Sequence, residues 1–113
     1  MIFEIRNYHF NPDLLEAYKA WAKAEAIPHL AQKMDVVGFW INTHDAPEIN
    51  GEPQDKLGSA NVTWIIRWRD LAHRNDVMPR ALSSPAWQDI FSRVPGGIAS
   101  YRRIEAKFAE ALV

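Results

Sequence analysis

A chain of 113 residues with a formal net charge of -1 has room for a single domain, residues 1–113, and lacks the basic excess that recommends nucleic acid or an anionic membrane as a partner. It has no cysteine, so disulfide frameworks, thiolate metal sites and cysteine nucleophiles are excluded together. The opening "MIFEIRNYHF" has neither the basic start nor the long apolar run of a secretion signal. No segment approaches the ~20 apolar residues of a membrane span. A soluble cytoplasmic protein is the expectation.

The first element in chain order is "IFEIRNY", a strand whose alternation puts Phe3 and Ile5 on one side and Glu4, Arg6 and Tyr8 on the other. "NPDLLEAYKAWAKAEAIPHLAQK" opens with an N-cap candidate, Asn11, then a proline and an acid, as helix starts do. Its apolar stripe of Leu14, Leu15, Tyr18, Trp21 and Ala22 has helical spacing, and Pro28 is expected to kink or divide the helix near Ile27.

"DVVGFWINTH" predicts a second strand, with Val37, Phe39 and Ile41 opposite Gly38, Trp40, Asn42 and His44. "DAPEINGEPQDKLGS" has prolines, glycines and acids without periodicity, so it predicts a loop lying over the mouth of the domain. The third strand, ending at Trp68, carries Trp64, Ile66 and Trp68 at alternate positions. A helix interrupted near Pro79 follows, then a short one starting at Ser84 or Pro85 with Trp87, Ile90, Phe91 and Val94 inward. "IASYRRIEAKF" predicts a fourth strand, although the segment after Glu105 is equally compatible with a helix.

The order β-α-β-β-α-β is the ferredoxin-like split unit: an α+β domain with a four-stranded antiparallel sheet and helices on one face. A bare second face carrying Trp40, Trp64, Ile66 and Trp68 exposes more apolar surface than a monomer usually tolerates. Two sheets facing each other as an isologous homodimer, a dimeric α/β barrel, would cover it.

The stretches "FEIRNYHFNPDLLEAY", "VVGFW", "RDLAHR" and "SSPAWQDIF" together resemble the NIPSNAP family, whose first strand reads Glu-x-Arg-x-Tyr before a proline and an amphipathic helix. The resemblance implies the dimeric α/β barrel superfamily, which includes antibiotic biosynthesis monooxygenases and haem-containing members. It implies no reaction by itself. Glu4, Arg6 and Tyr8 match the family's first-strand polar row, and Trp40 its second-strand aromatic. Where the family's third strand offers a histidine and then a tryptophan, this chain has Trp64 and Ile66. Trp68 then falls at the position of an aromatic, usually tyrosine.

If Phe3, Ile5, Val37, Phe39, Ile41 and Ile65 face the helices, the barrel wall is Glu4, Arg6, Tyr8, Trp40, Asn42, His44, Trp64, Ile66 and Trp68. Such a wall suits a small apolar or aromatic ligand with an anionic or carbonyl group for Arg6. Its bland counterpart is a packed barrel in which Glu4 and Arg6 satisfy each other. His44 and Glu4 are the candidate bases of a second reading, a cofactor-independent monooxygenase or isomerase. His9, His29, His44 and His73 have no metal-ligand spacing, so no metal and no cofactor are expected. Haem is a distant third reading, with only His29 or His44 as axial candidates.

Overall fold

The computed structural model describes residues 1–43, 46–53 and 55–113. Four strands, β1 (Ile2–Phe10), β2 (Asp35–Ile41), β3 (Val62–Trp68) and β4 (Tyr101–Ala109), form one antiparallel sheet in the order β2-β3-β1-β4. Helices α1 (Leu15–Trp21), α2 (Ile27–Lys33), α3 (Leu71–Ser83) and α4 (Pro85–Phe91) cover one face of it. This is the ferredoxin-like α+β arrangement. β4 continues to Ala109, so the segment after Glu105 is strand rather than helix.

Local chemistry accounts for most element boundaries. The Asn11 side chain accepts from the Asp13 N–H and opens a short 3-10 turn, Pro12–Leu14, that feeds α1. α1 and α2 are joined by a π-helical turn, Ala22–Ala26, rather than by a break. Pro28, which has no N–H to donate, follows directly on this π-helical turn, where the helix's hydrogen bonding is already shifted by one residue. The interruption expected at Pro79 is not found, because α3 runs through it. Pro79 and Asn75, whose carbonyl it leaves unpaired, both face solvent, so water can take that bond while Met78 stays buried. Ser84 caps α4, its hydroxyl accepting from the Trp87 N–H. Ser84→Ala should therefore lower stability by about 1 kcal/mol, read as a fall in the urea midpoint at constant slope.

The strand faces differ from expectation. Glu4, Tyr8 and Phe10 on β1, and Val62, Trp64, Ile66 and Trp68 on β3, are buried under the helices. Phe3, Ile5 and Ile65, expected there, lie on the bare face instead, and Val37, also expected there, is exposed at a bulge. Val36, Phe39 and Ile41 share the covered side with β3's buried row, since Phe39 pairs with Trp64 and Ile41 with Val62. A bulge at Val37 sets this register. Packing volume is the reason: one residue set on β3 consists of Val62, Ile66 and two tryptophans, whereas the other includes Thr63 and Arg67. Burying the larger set removes far more apolar area from water.

Trp40 remains on the bare face, 51% exposed, and its indole lies back over Gly38, where there is no room for a side chain. The described part of the long loop before β3 makes its contacts on this face too, through a His9 to Gly58 carbonyl bond and an Asp55–Arg103 ion pair. It does not cover the face on which the helices pack. No helix is long and apolar enough to cross a membrane among the described residues.

Candidate functional site

Glu4 is wholly buried, and its carboxylate is fully occupied. Oε1 accepts from Trp68 Nε1 at 3.0 Å and from Arg74 Nε at 2.9 Å. Oε2 accepts from Arg6 Nη1 at 2.7 Å and from Arg74 Nη2 at 3.0 Å. Burial pushes this carboxyl up, but the bonds from Arg74 and Arg6, the Arg6 charge and the Trp68 bond outweigh it and hold the group below the usual range. It is an ionised anchor whose lone pairs are all engaged.

Arg6 extends the network into the chain's interior. Its Nε donates to the Tyr8 hydroxyl at 2.9 Å, and the guanidinium lies over the rings of Tyr8 and Trp64, 5.6 Å from each centroid. Its Nη2 makes no hydrogen bond among the described residues. Burial opposes its charge, while Tyr8 and Glu4 more than restore it, so the guanidinium stays protonated. The Tyr8 oxygen also accepts from Trp64 Nε1 at 2.8 Å. With both acceptor positions filled, the hydroxyl proton is left to donate, and no described residue receives it.

These groups form the polar end of a half-open cavity of about 290 Å³ between the sheet and the helices. From the sheet, β2 contributes Phe39 and β4 contributes Tyr101 and Ile104; α1 brings Tyr18 and Trp21, α2 Leu30, α3 Met78 and Leu82, and α4 Trp87 and Phe91. Phe39 stacks on Trp64 at 5.4 Å, and Tyr101 meets Tyr8 edge-on at 5.3 Å. Burial pushes the Tyr18 and Tyr101 phenols up, with Tyr101 and Tyr8 adding to it at Tyr18 and Tyr8 adding to it at Tyr101 against an opposing Tyr18 bond, so both stay protonated. The described lining includes no carboxylate or imidazole.

The residues expected to line one wall are thus divided. Arg6, Tyr8 and Trp64 line the cavity, while Glu4, Ile66 and Trp68 lie on the same face and support it. Trp40 and Asn42 are exposed outside it, Asn42 bonding the Ala60 carbonyl. His44 lies outside the described residues. His29 stacks on Trp87 behind the cavity wall, and His9 and His73 are remote from it. Among the described residues no cluster of His, Asp or Glu is placed to hold a metal ion.

Arg74, Tyr18 and Tyr101 are functional neighbours that the sequence reading missed. A buried carboxylate has about four lone-pair sites to fill, more than Arg6 alone supplies, so a second donor was implied. Arg69 and Arg74 were both eligible until the fold chose between them, whereas alternation already turned Arg67 to the other face.

Fold and site together define a class: a ferredoxin-like α+β domain with a small aromatic cavity inside the chain, between sheet and helices. The chain belongs to the NIPSNAP family, whose model matches residues 3–103. It is similar to a crystal structure of an uncharacterised NIPSNAP domain protein from Burkholderia xenovorans, at 20% identity and a TM-score of 0.73, covering 98% of this chain and 94% of that one. A NIPSNAP family protein of unknown function from Agrobacterium tumefaciens aligns at 17% identity and a TM-score of 0.75, covering 96% and 86%. An antibiotic biosynthesis monooxygenase shares the fold at 10% identity and a TM-score of 0.59, over 100% of both chains. Among curated proteins there is no significant match.

Proposed function

We propose that this protein binds a small, flat, largely apolar molecule bearing an oxygen acceptor, in the cavity between its sheet and helices. One observation carries the reading: Tyr8 O–H and Arg6 Nη2 are polar groups left with unused donors at one end of a cavity whose other walls are apolar and largely aromatic apart from Gln88. Facing a half-open cavity, these donors have water as their alternative partner, and a ligand oxygen can replace it while its flat body covers the apolar walls. At about 290 Å³ the cavity lies at the small end of ligand pockets, which run from roughly 300 Å³ upward. A cofactor-independent oxygenase or isomerase needs a base to take the substrate's proton. Glu4 is saturated and the described lining holds no other, so binding is the reading this site supports best.

Titrating small aromatic acids, ketones and phenols against tryptophan fluorescence tests this directly, because Trp21, Trp64 and Trp87 line the cavity. A saturable change is expected; none from any compound would remove the reading. In Arg6→Met, Arg74 still engages both oxygens of Glu4. That variant should stay folded and weaken an oxygen-bearing ligand by about 1.5–3 kcal/mol, the scale of a hydrogen bond to a charged group.

The proposal includes a second copy of the chain in the same cytoplasmic setting. Phe3, Ile5, Ile65 and the 51%-exposed Trp40 share the bare face of the sheet, and a facing sheet would cover them. Sedimentation equilibrium showing a stable monomer at micromolar concentration would remove that part.

A further inference from the structure

Arg6 and Arg74 converge on the single carboxylate of Glu4, and one negative charge balances only one of them. The two cations differ in their access to water. The Arg74 side chain is 21% exposed and lies against the rim ring of Phe108, at a part of the sheet the helices leave open. The Arg6 side chain is 13% exposed, held between the rings of Tyr8 and Trp64, and has Nη2 unused among the described residues. The network therefore has one net positive charge, and Arg6 brings its share of it to the cavity's polar end, beside the unclaimed Tyr8 proton.

That end offers donors and one positive charge, and the described lining beside it holds no carboxylate. A neutral carbonyl would satisfy a donor but leave the two guanidiniums sharing the single charge of Glu4. A dianion would overcompensate it, among rings of Phe39, Trp64, Trp87 and Phe91 that cannot solvate the surplus. A carboxylate has one charge and two oxygens, one for Arg6 Nη2 and one for the phenol proton. Resting on the binding reading above, we infer that the ligand is a monoanion, an aryl or unsaturated carboxylic acid, held by Arg6 Nη2 and the Tyr8 hydroxyl with its flat body against the aromatic walls.

Isothermal titration of the full chain with cinnamate, cinnamamide and phenyl phosphate tests the inference. Cinnamate should bind roughly tenfold or more tightly than cinnamamide, the gap between charged and neutral hydrogen bonding. The advantage should shrink to about twofold or less in Arg6→Met, where neutral acceptors no longer compete with a charge-assisted contact. Equal binding of acid and amide by the wild-type protein overturns the monoanion while leaving cavity binding intact. Tightest binding of phenyl phosphate overturns it in favour of a dianion site. Heat from none of the three overturns the inference and the binding reading together. Because the wild-type ratio decides by itself, a variant that fails to fold does not rescue the idea.

Discussion

Glu4→Gln is expected to destabilise the domain by about 3–5 kcal/mol, the cost of removing one member of a buried charge network. Glutamine has nearly the same shape, so cavity formation contributes little. The loss is electrostatic: Arg6 and Arg74 would face each other without the carboxylate between them, and the new amide N–H groups would point at donors. Urea unfolding at neutral pH measures it. The same group predicts a pH dependence. Its folded value is held below the ordinary 4.5, so its contribution to stability is complete above that value and is lost as pH falls through the lower, folded one. The gap between wild type and Glu4→Gln should therefore be widest at neutral pH and narrow in the acid range. A gap that stays constant with pH would show that the carboxylate charge is not what stabilises the fold.

Trp64→Asp and Trp40→Asp should have opposite consequences, because the two tryptophans stand on opposite faces of neighbouring strands. Trp64 is 4% exposed, donates to Tyr8 and stacks on Phe39. Replacing it with aspartate removes about 3–5 kcal/mol of packing and places a charge in a desolvated core. Domains of this size are stable by only about 5–15 kcal/mol. Loss of the cooperative unfolding transition at 25 °C is the expected result, whatever the protein concentration. Trp40→Asp changes an exposed side chain on the bare sheet face. It should leave the circular dichroism spectrum intact and weaken self-association, seen as a shift toward monomer in sedimentation equilibrium. A Trp64→Asp protein that folds normally but fails to self-associate would put Trp64 at an interface between chains and overturn the intrachain cavity.

The order of elements was legible along the chain because its cues are local. Asn11 before a proline, Ser84 before Pro85, Pro28 inside an apolar periodicity and the alternation of β1 and β3 each act within a few residues. Those effects place an element without reference to the rest of the molecule. The sharing of one face by Glu4, Arg6 and Tyr8, and by Trp64, Ile66 and Trp68, was equally a local matter, since alternation settles which side chains stand together. Alternation says nothing about which of the two faces lies beneath the helices. That depended on the volumes of whole rows, on the bulge at Val37, and on whether a buried Glu4 could find enough donors. Arg74 supplied them from a helix 70 residues away in sequence. Once it did, burial of the polar row became affordable, and the cavity formed within one chain, with Tyr18 from α1 and Tyr101 from β4 added to its lining. Sequence alone determined the elements, their order and the companions on the faces of β1 and β3; the bulge at Val37 and the long-range packing decided the rest, including which face became the interior, because burial is a property of the whole fold rather than of any one strand.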